Sequence, residues 1–154
     1  MKKGNDLQEE SKLLFNIVVP VFNSEKYIDK CLNSLVKQSY KRFQVQVVDD
    51  CSSDASYDIA ASICNENKNF KIFKNSRRIG ALNNICNLLD TKIKEPKETV
   101  DIILDGDDYL YSGDVLDILK EKYLQTNCLI TYGSHISSNG VQGKKYPRLI
   151  RQFN

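Results

Sequence analysis

The sequence predicts an α/β fold in which a mostly parallel sheet is covered by helices on both faces. Strand-like and helix-like segments alternate along most of the chain, and short connections separate them. Polar clusters follow three of the predicted strands, which is where open α/β sheets bind ligands. With 154 residues, the chain is long enough for one domain with a single core. We therefore expect a ligand-binding domain built on this sheet.

The strands are predicted from short apolar runs rich in β-branched residues. The first run, over residues 14–21, reads Leu-Phe-Asn-Ile-Val-Val-Pro-Val and suits a buried strand. Similar runs predict four more strands, over about 43–48, 70–73, 99–104 and 128–132.

The helices are predicted from apolar residues that recur at helical spacing between the strands. Asn23 or Ser24 is expected to cap the first helix, with Glu25 in its first turn, and Ser53 or Asp54 to cap the second. The expected apolar stripes are Tyr27, Ile28, Cys31, Leu32, Leu35 and Val36 on the first helix, Tyr57, Ala60, Ile63 and Cys64 on the second, and Leu82, Ile85, Cys86 and Leu89 on a third near 80–90; a fourth helix is predicted from Ser112 to Leu124.

Three regions are expected along the chain: a flexible N-terminus over 1–12, the α/β domain over 13–133, and a basic C-terminal loop over 134–154. The basic residues of this last region are read as a surface loop in preference to a contact for an acidic partner or a membrane; they are Lys144, Lys145, Arg148 and Arg151. The formal net charge of +2 gives no reason to expect a nucleic-acid partner.

Composition excludes several other classes of protein. No window approaches the run of about 20 apolar residues that a membrane-spanning helix needs, and no signal-peptide core follows Met1. The five cysteines lack a C-x-x-C pair and mostly fall at apolar positions, so we expect reduced core residues of a cytoplasmic protein; they are Cys31, Cys51, Cys64, Cys86 and Cys128. Zinc is not expected, since His135 has no companion at ligand spacing.

The run from Val100 to Asp108 is the most informative segment. A β-branched stretch ends at three carboxylates within four residues, Asp105, Asp107 and Asp108. Carboxylates packed this closely repel one another, and a divalent cation would relieve the repulsion. Mg²⁺ and Mn²⁺ take oxygen ligands and usually bind through one or two carboxylates plus the phosphates of a substrate. The alternative is a polar turn, because Asp-Gly is a common turn dipeptide.

A dinucleotide-binding site of the usual glycine-rich kind is excluded. The first strand is not followed by G-x-G-x-x-G, and G-x-x-x-x-G-K-[ST] is absent from the sequence. Any bound phosphates must therefore be neutralised in another way. A cation held by carboxylates, or the side chains of Arg77 and Arg78, would do so.

Four short motifs follow one another between residues 14 and 133. They are Ile-Val-Val-Pro-Val-Phe-Asn at 17–23, Val-Val-Asp-Asp-Cys-Ser-Ser-Asp at 47–54, Arg-Ile-Gly-Ala-Leu-Asn-Asn at 78–84 and Leu-Asp-Gly-Asp-Asp at 104–108. In type, order and spacing they resemble the motifs of glycosyltransferase family 2. The resemblance implies the Rossmann-like nucleotide-diphospho-sugar transferase fold, and it makes the fourth motif a D-x-D signature.

The resemblance also implies roles for single residues. The donor-binding residues would be Pro20, Phe22, Asn23, Asp49, Asp50, Arg78, Asn84, Asp105 and Gly106. In the family, the first of these motifs lies beside the nucleotide base, and the acidic residues of the second hydrogen-bond the base and ribose. Asp107, together with Asp105, would hold Mn²⁺ or Mg²⁺.

The activity implied is metal-dependent, inverting transfer of a hexose-like sugar from a nucleotide-diphosphate donor, with UDP favoured, to a hydroxyl of a glycan, protein or lipid. The general base cannot be identified. The acidic residues after Asp108 read as capping or solvent-face charges, and His135 reads as a loop residue; the acidic ones are Asp114, Asp117 and Glu121.

Length is the largest departure from the family. Forty-six residues follow Asp108, whereas family members usually carry a longer second half with the acceptor site. We therefore expect a chain truncated at its C-terminus, in which 134–154 is either a loop or the start of an acceptor region. A homodimer or a partner chain is expected to cover the truncated edge.

Two smaller departures concern single positions. Cys51 stands where the family usually has glycine, which matters if the position needs a positive φ. Leu82 and Asn83 replace the commoner Ala-Arg, which would shift the basic contact to Arg77 or Arg78. A catalytically silent nucleotide-binding or assembly module is the alternative function. A nucleotidyltransferase is disfavoured, because the first strand lacks the glycine-rich loop of that class.

Overall fold

The computed structural model describes residues 13–90 and 99–126, together with positions 130, 131, 133, 136, 137 and 140–142. Strands and helices alternate along these residues as predicted. The elements are β1 (Leu14–Val21), α1 (Ile28–Val36), β2 (Phe43–Asp49), α2 (Ser56–Glu66), β3 (Phe70–Lys74), α3 (Ala81–Asp90), β4 (Thr99–Ile103) and α4 (Val115–Gln125). Apart from Ile130 and Thr131, the strand predicted at 128–132 lies outside the described residues.

The four strands form one sheet in the order β3-β2-β1-β4, and every neighbouring pair is parallel. The register places Val21 beside Asp49, and Asp49 beside Lys74, so the last residues of three strands are level. The predicted parallel sheet is confirmed. Since all strands run the same way, their carboxyl ends lie along a single edge.

Both faces of the sheet are covered, as the sequence predicts. On one face, Val18, Val48 and Leu88 form a buried cluster with Ile85, so α3 packs against β1. Side chains alternate between the faces along a strand, so Ile17 and Val19 of β1 point to the opposite face. On that face, α2 packs against β2 and β3, and α1 packs on α2. The buried apolar residues there include Ile17, Val19, Val45 and Val47 of the strands and Ile28, Leu32 and Leu35 of α1.

Helix α3 buries a different stripe from the one predicted. Leu82 is 73% exposed and Cys86 is also exposed, whereas Asn84 and Leu88 are buried. The carboxamide of Asn84 accepts a hydrogen bond from Asn75 at 2.7 Å, which holds this side of the helix against the sheet. The prediction of Leu82, Cys86 and Leu89 as a core stripe is wrong, because a buried polar residue sets the rotation of the helix.

The cysteines divide into two groups. Cys31 and Cys64 are buried, whereas Cys51 and Cys86 are exposed, and all four are free thiols. The prediction that most cysteines are core residues is therefore wrong for Cys51 and Cys86, which lie in a turn and on the outer side of α3. Cys128 lies outside the described residues.

The chain divides into two compact units, Met1–Asp117 and Ile118–Asn154. The whole sheet belongs to the first unit. In the second, most of α4 is followed by a short antiparallel bridge between Ile136 and Gln142. None of the helices in the described part of the chain has the length and apolar character to span a bilayer. The basic residues predicted to form a C-terminal loop lie outside the described positions.

Candidate functional site

The three polar clusters predicted at strand ends meet at the carboxyl edge of the sheet. The backbone N–H of Asp50 donates to the carbonyl of Val21 at 2.8 Å, which joins the ends of β1 and β2. On the other side of β1, the N–H of Gly106 donates to the carbonyl of Pro20 at 3.2 Å. The juxtaposition of these clusters is therefore confirmed.

Asn23 connects the loop after β1 to the loop after β2. Its Oδ1 accepts hydrogen bonds from the N–H of Ser53 at 3.0 Å and from its hydroxyl at 3.3 Å. Its own N–H donates to Ser52 Oγ at 3.0 Å, and its φ is +49°, a conformation that asparagine tolerates better than most residues. The prediction that Asn23 or Ser24 caps α1 is wrong, because the cap position is Tyr27, which makes no side-chain capping bond.

Asp54 and Glu25 make a second, reciprocal connection between the same loops. Asp54 Oδ2 accepts the N–H of Glu25 at 3.2 Å, and Glu25 Oε2 accepts the N–H of Ala55 at 3.2 Å. Asp54 Oδ1 also accepts the N–H of Ser56, the first residue of α2, at 3.0 Å. Burial alone would raise the pKa of Asp54, but the hydrogen bonds from Ser56 and Glu25 outweigh it and lower that pKa. The prediction that Ser53 or Asp54 caps α2 is wrong, because the cap position is Ala55, which makes no side-chain capping bond. Asp54 instead precedes the cap and accepts the N–H of the first helical residue.

Asp50 organises the loop that follows β3. Its carboxylate accepts hydrogen bonds from Asn75 Nδ2 at 2.8 Å and from the backbone N–H groups of Ile79 at 2.9 Å and Gly80 at 2.8 Å. Burial by itself would raise the pKa of Asp50. The hydrogen bonds from Ile79, Asn75 and Gly80 outweigh that effect and lower the pKa to about 2. The side chain is buried and ionised at neutral pH.

Within the part of the chain that the structure describes, two buried polar atoms at this edge have no hydrogen-bond partner. Asp49 is fully buried, and its Oδ2 accepts the N–H of Ser52 at 3.1 Å while its Oδ1 accepts nothing. Asn84 is almost as buried, and its Nδ2 donates to nothing. Unsatisfied buried groups are rare in native proteins and are common where a ligand completes the site. Both residues are among those that the sequence resemblance places at the donor.

Phe22 and Arg78 form an exposed pair at the same edge. The guanidinium carbon of Arg78 lies 3.8 Å from the centre of the Phe22 ring, which is 36% exposed. Such stacking is attractive because the face of an aromatic ring is negative. The pair presents a flat cationic surface beside the end of β1.

Cys51 adopts a backbone conformation that favours glycine. Its φ is +65°, which is uncommon for a residue with a side chain. Its thiol makes only a long contact, 3.9 Å to the carbonyl of Ser76. The departure from the family noted at this position is therefore a source of local strain.

The carboxylates after β4 lie in a different environment. Within the described residues, no hydrogen bond reaches the side chains of Asp105, Asp107 or Asp108, and all three are exposed. Partial burial, and then the charges of Asp107 and Asp108, raise the pKa of Asp105. The described residues contain no cluster of three or more side chains able to hold a metal ion by themselves. Exposed carboxylates of this kind fit Mg²⁺ or Mn²⁺ bound with substrate phosphates, since such ions take few protein ligands.

Gly106 lies where the carboxylate segment passes close to β1. A Cβ at this buried position would lie 3.1 Å from the carbonyl oxygen of Pro20 and 3.2 Å from Val21 Cγ2. Behind the segment, Cys31 Sγ lies 3.7 Å from the carbonyl oxygen of Asp105. Burial, and then the neighbouring aspartates, raise the pKa of the Cys31 thiol to about 12, so it stays protonated.

Sequence reasoning missed two polar residues. Asn75 follows β3 directly and donates to both Asp50 and Asn84. Its position at a fourth strand end was a signal that could have found it. Gln38 is fully buried after α1, and it continues the helical spacing of Leu35.

Two of the three acidic residues after Asp108 accept serine hydroxyls, and the third, Glu121, is exposed on α4. Asp114 accepts the hydroxyl of Ser112, and Asp117 accepts the hydroxyl of Ser39 at 2.5 Å in the first turn of α4. This agrees with their expected roles as capping charges. His135 lies outside the described residues.

Comparison with known proteins identifies the family. The model of Glycosyl transferase family 2 matches residues 16–153. A poly(ribitol-phosphate) β-N-acetylglucosaminyltransferase, TarS, from Staphylococcus aureus is 37% identical over 101 residues, which are 62% of this chain and 16% of that protein. A poly(ribitol-phosphate) β-glucosyltransferase from Bacillus spizizenii is 35% identical over 106 residues, 66% of this chain and 16% of that protein.

The solved structures agree with this result. The crystal structure of residues 1–349 of Staphylococcus aureus TarS in complex with UDP has a TM-score of 0.63 and 31% identity. The match covers 73% of this chain and 32% of that one. The chain thus spans about a third of the crystallised fragment and 16% of each whole relative.

Proposed function

Because the chain belongs to glycosyl transferase family 2, we propose that it binds a nucleotide-diphosphate sugar and serves in transfer of the sugar to an acceptor hydroxyl. The observation that carries the proposal is the carboxyl edge of the sheet. There the exposed carboxylates of Asp105 and Asp107, which receive no hydrogen bond from the described residues, follow a strand that is paired with β1. Phe22 and Arg78 lie at the end of β1 on the same edge.

The nucleotide is proposed to lie at the ends of β1 and β2. Phe22 offers an aromatic face, and Asp49 Oδ1 and Asn84 Nδ2 are a buried acceptor and a buried donor without partners. Asp50 would act mainly by holding residues 75–80 in place, since three hydrogen bonds already reach its carboxylate. UDP is the favoured nucleotide, because the similar Staphylococcus aureus structure contains UDP.

The diphosphate is proposed to lie at the end of β4. Asp107, with Asp105, would hold Mn²⁺ or Mg²⁺, which would neutralise charge on the departing diphosphate. Gly106, which lies between the two aspartates, lets the segment approach β1 closely. Arg78 would add a second positive charge, because its guanidinium is exposed at the same edge.

The transfer is proposed to invert the anomeric carbon, with a glycan, protein or lipid as the acceptor and a hexose as the sugar. Deprotonation of the acceptor hydroxyl requires a base, and the described carboxylates Asp114 and Asp117 are occupied by serine hydroxyls. The remaining carboxylate, Glu121, reads as a solvent-face charge of α4, so the base and the acceptor site are proposed to lie outside the described part of the chain or in a partner subunit. A cytoplasmic setting belongs to the proposal, supported by the four free cysteines.

Calorimetry with UDP, in the presence and absence of Mn²⁺, tests this function. We expect Mn²⁺ to strengthen UDP binding, and Asp107→Ala to abolish that gain. Asp58→Ala, which removes an exposed carboxylate from α2, is the matched control and should retain the gain. If the wild-type chain binds no UDP with Mn²⁺ or Mg²⁺, the proposal is wrong.

A catalytically silent nucleotide-binding or assembly module is the second candidate. It is favoured by the lack of a free carboxylate base after Asp108 among the described residues of the first unit. Incubating the protein with UDP-sugars and assaying released UDP separates the two functions, since hydrolysis or transfer by the chain would exclude the silent module.

A further inference from the structure

Helix α1 carries a polar clamp for the segment that follows the carboxylates. Gln38, two residues beyond the helix, is fully buried. Its Nε2 donates to the carbonyls of Ser34 at 3.0 Å and Ser112 at 2.7 Å, and its Oε1 accepts the N–H of Leu116 at 3.1 Å. One side chain thus connects the end of α1 to the start of α4.

Two serines extend the clamp. Ser34 Oγ accepts the N–H of Leu110 at 3.0 Å. The N–H and hydroxyl of Ser39 donate to the carbonyl of Gly113 at 2.7 and 2.9 Å. Gly113 lies so close that a Cβ on it would be 3.0 Å from the carbonyl oxygen of Lys37. The backbone from Leu110 to Leu116 is therefore held by α1 and by the residues that directly follow it.

The same helix supports the beginning of the carboxylate segment. Cys31 Sγ contacts the carbonyl of Asp105, and Ile28 Cδ1 would lie 3.6 Å from a Cβ on Gly106. Cys31, Ser34 and Gln38 are separated by three and four residues, the spacing of one helix face. Both ends of the segment 105–116 are thus attached to α1 or to Gln38 just beyond it, whereas the side chains of Asp105, Asp107 and Asp108 receive no hydrogen bond from the described residues.

We propose that Gln38, assisted by Ser34, is a positioning residue for the carboxylates of Asp105 and Asp107. Mutually repelling carboxylates without hydrogen-bond partners are held in position only by their backbone. This backbone is fixed at its start by the hydrogen bond from the N–H of Gly106 to the carbonyl of Pro20. At its end it is fixed by the clamp, where the buried side chain of Gln38 satisfies both the carbonyl of Ser112 and the N–H of Leu116. The inference rests on the proposed function, in which these carboxylates bind a cation with the diphosphate.

The test compares two clamp variants with a control that also loses buried hydrogen bonds. Gln38→Met keeps the volume of the side chain and removes its three hydrogen bonds, and Ser34→Ala removes the contact with Leu110. Asn16→Leu is the control, since Asn16 is buried in β1 away from the site and bonds Asp101 at 2.7 Å and Gln46 at 2.8 Å. UDP affinity is measured by calorimetry with and without Mn²⁺, and the melting temperature is measured for each variant.

Mn²⁺ is expected to raise the UDP affinity of wild type, and in Gln38→Met this increase should be about tenfold smaller. A loss of this size is typical when a residue that orients metal ligands is removed. The UDP affinity without metal should stay within about twofold of wild type. Ser34→Ala should show a smaller loss in the same direction, and it keeps the test decisive if Gln38→Met does not fold. Asn16→Leu should lower the melting temperature and keep the full gain.

Amide hydrogen exchange on the unliganded protein provides an independent readout. Exchange at Leu110 and Leu116 should accelerate in Ser34→Ala and Gln38→Met respectively, without a matching change in β1 and β2. If both variants only lower stability and retain the Mn²⁺ gain, the positioning role is refuted while the proposed function stands. If wild type shows no Mn²⁺-dependent UDP binding, the proposed function and this inference fail together.

Discussion

The acidic clusters after β2 and β4 are alike in sequence and opposite in structure. After β2, the carboxylate of Asp50 is buried and accepts three hydrogen bonds, which hold its pKa at about 2. After β4, the carboxylates of Asp105 and Asp107 are exposed and receive none from the described residues, and burial and neighbouring charges raise the pKa of Asp105. Hydrogen-bond donors from the loop after β3 have satisfied Asp50 and left Asp105 and Asp107 available.

The difference indicates that the loops after β2 and β4 have different roles at the carboxyl edge of the sheet. A carboxylate that is saturated by its own chain stabilises a loop, and it has little capacity left for a ligand. A carboxylate without partners costs stability through repulsion, and a cation would recover that cost. We therefore interpret Asp50 as part of the scaffold of the site and the carboxylates after β4 as its cation-binding part.

The largest effect on stability is expected from Asp50→Ala. Removing the carboxylate leaves the N–H groups of Ile79 and Gly80 and the amide of Asn75 without an acceptor, so the free energy of unfolding should fall by about 3 kcal/mol. Asp107→Asn is the counterpart and should change it by less than about 0.5 kcal/mol. Urea unfolding measures both, and equal losses would remove the distinction between the two clusters.

Gly106→Ala tests whether the β4 cluster depends on close approach to β1. Its Cβ would lie 3.1 Å from the carbonyl oxygen of Pro20 and 3.2 Å from Val21 Cγ2, so we expect a loss of about 2 kcal/mol. Gly140→Ala is the control, since no atom lies within 4 Å of its Cβ position, and its positive φ should cost about 1 kcal/mol. A neutral Gly106→Ala in urea unfolding would show that the segment can move away freely.

The pH dependence of stability tests the lowered pKa of Asp50. The folded pKa of Asp50, about 2, lies below the value of about 4 for an unfolded chain. Its stabilisation is therefore complete above pH about 4 and is lost as the pH falls toward 2. The stability gap between wild type and Asp50→Asn should narrow over this interval. Urea unfolding at a series of pH values measures it, and a constant gap would contradict the lowered pKa.

The smallest effect on stability is expected at Cys51, in the loop after β2. Because its φ is +65°, Cys51→Gly should relieve strain and raise the free energy of unfolding by about 0.5 kcal/mol, after the entropy cost of glycine is subtracted. Cys51→Ala keeps the strain and should give no gain. Thermal unfolding of the two variants side by side measures the difference, and a gain with alanine would point to the thiol rather than to the backbone.

Much of the fold could be predicted from the sequence because its elements are strongly patterned. The β-branched runs of β1 and β2 and the alternation with helices were sufficient for a parallel sheet. The caps were predicted less well. Asn23 has the chemistry of a helix cap, yet Ser53 is a competing partner 30 residues away, and sequence proximity does not reveal such a partner.

The site was predicted in part for the same reason. Strand ends of a parallel sheet must share an edge, so the grouping of Asp49, Asp50 and Asp105 followed from the pattern. The pattern did not predict which carboxylate would be fully hydrogen-bonded. The donors to Asp50 come from Ile79 and Gly80, which follow β3 and lie about 30 residues away in the chain.

The sequence by itself determined which residues stand at the ends of the strands, since residue type and period encode local structure. The burial and the hydrogen-bond partners of each of these residues depend on the tertiary structure. It turned α3 to bury Asn84, gave Asp50 three donors, left Asp105 and Asp107 with none from the described residues, and placed Gln38 behind the carboxylate segment. The physical reason is that hydrogen-bond satisfaction and burial depend on partners that are close in space and distant along the chain.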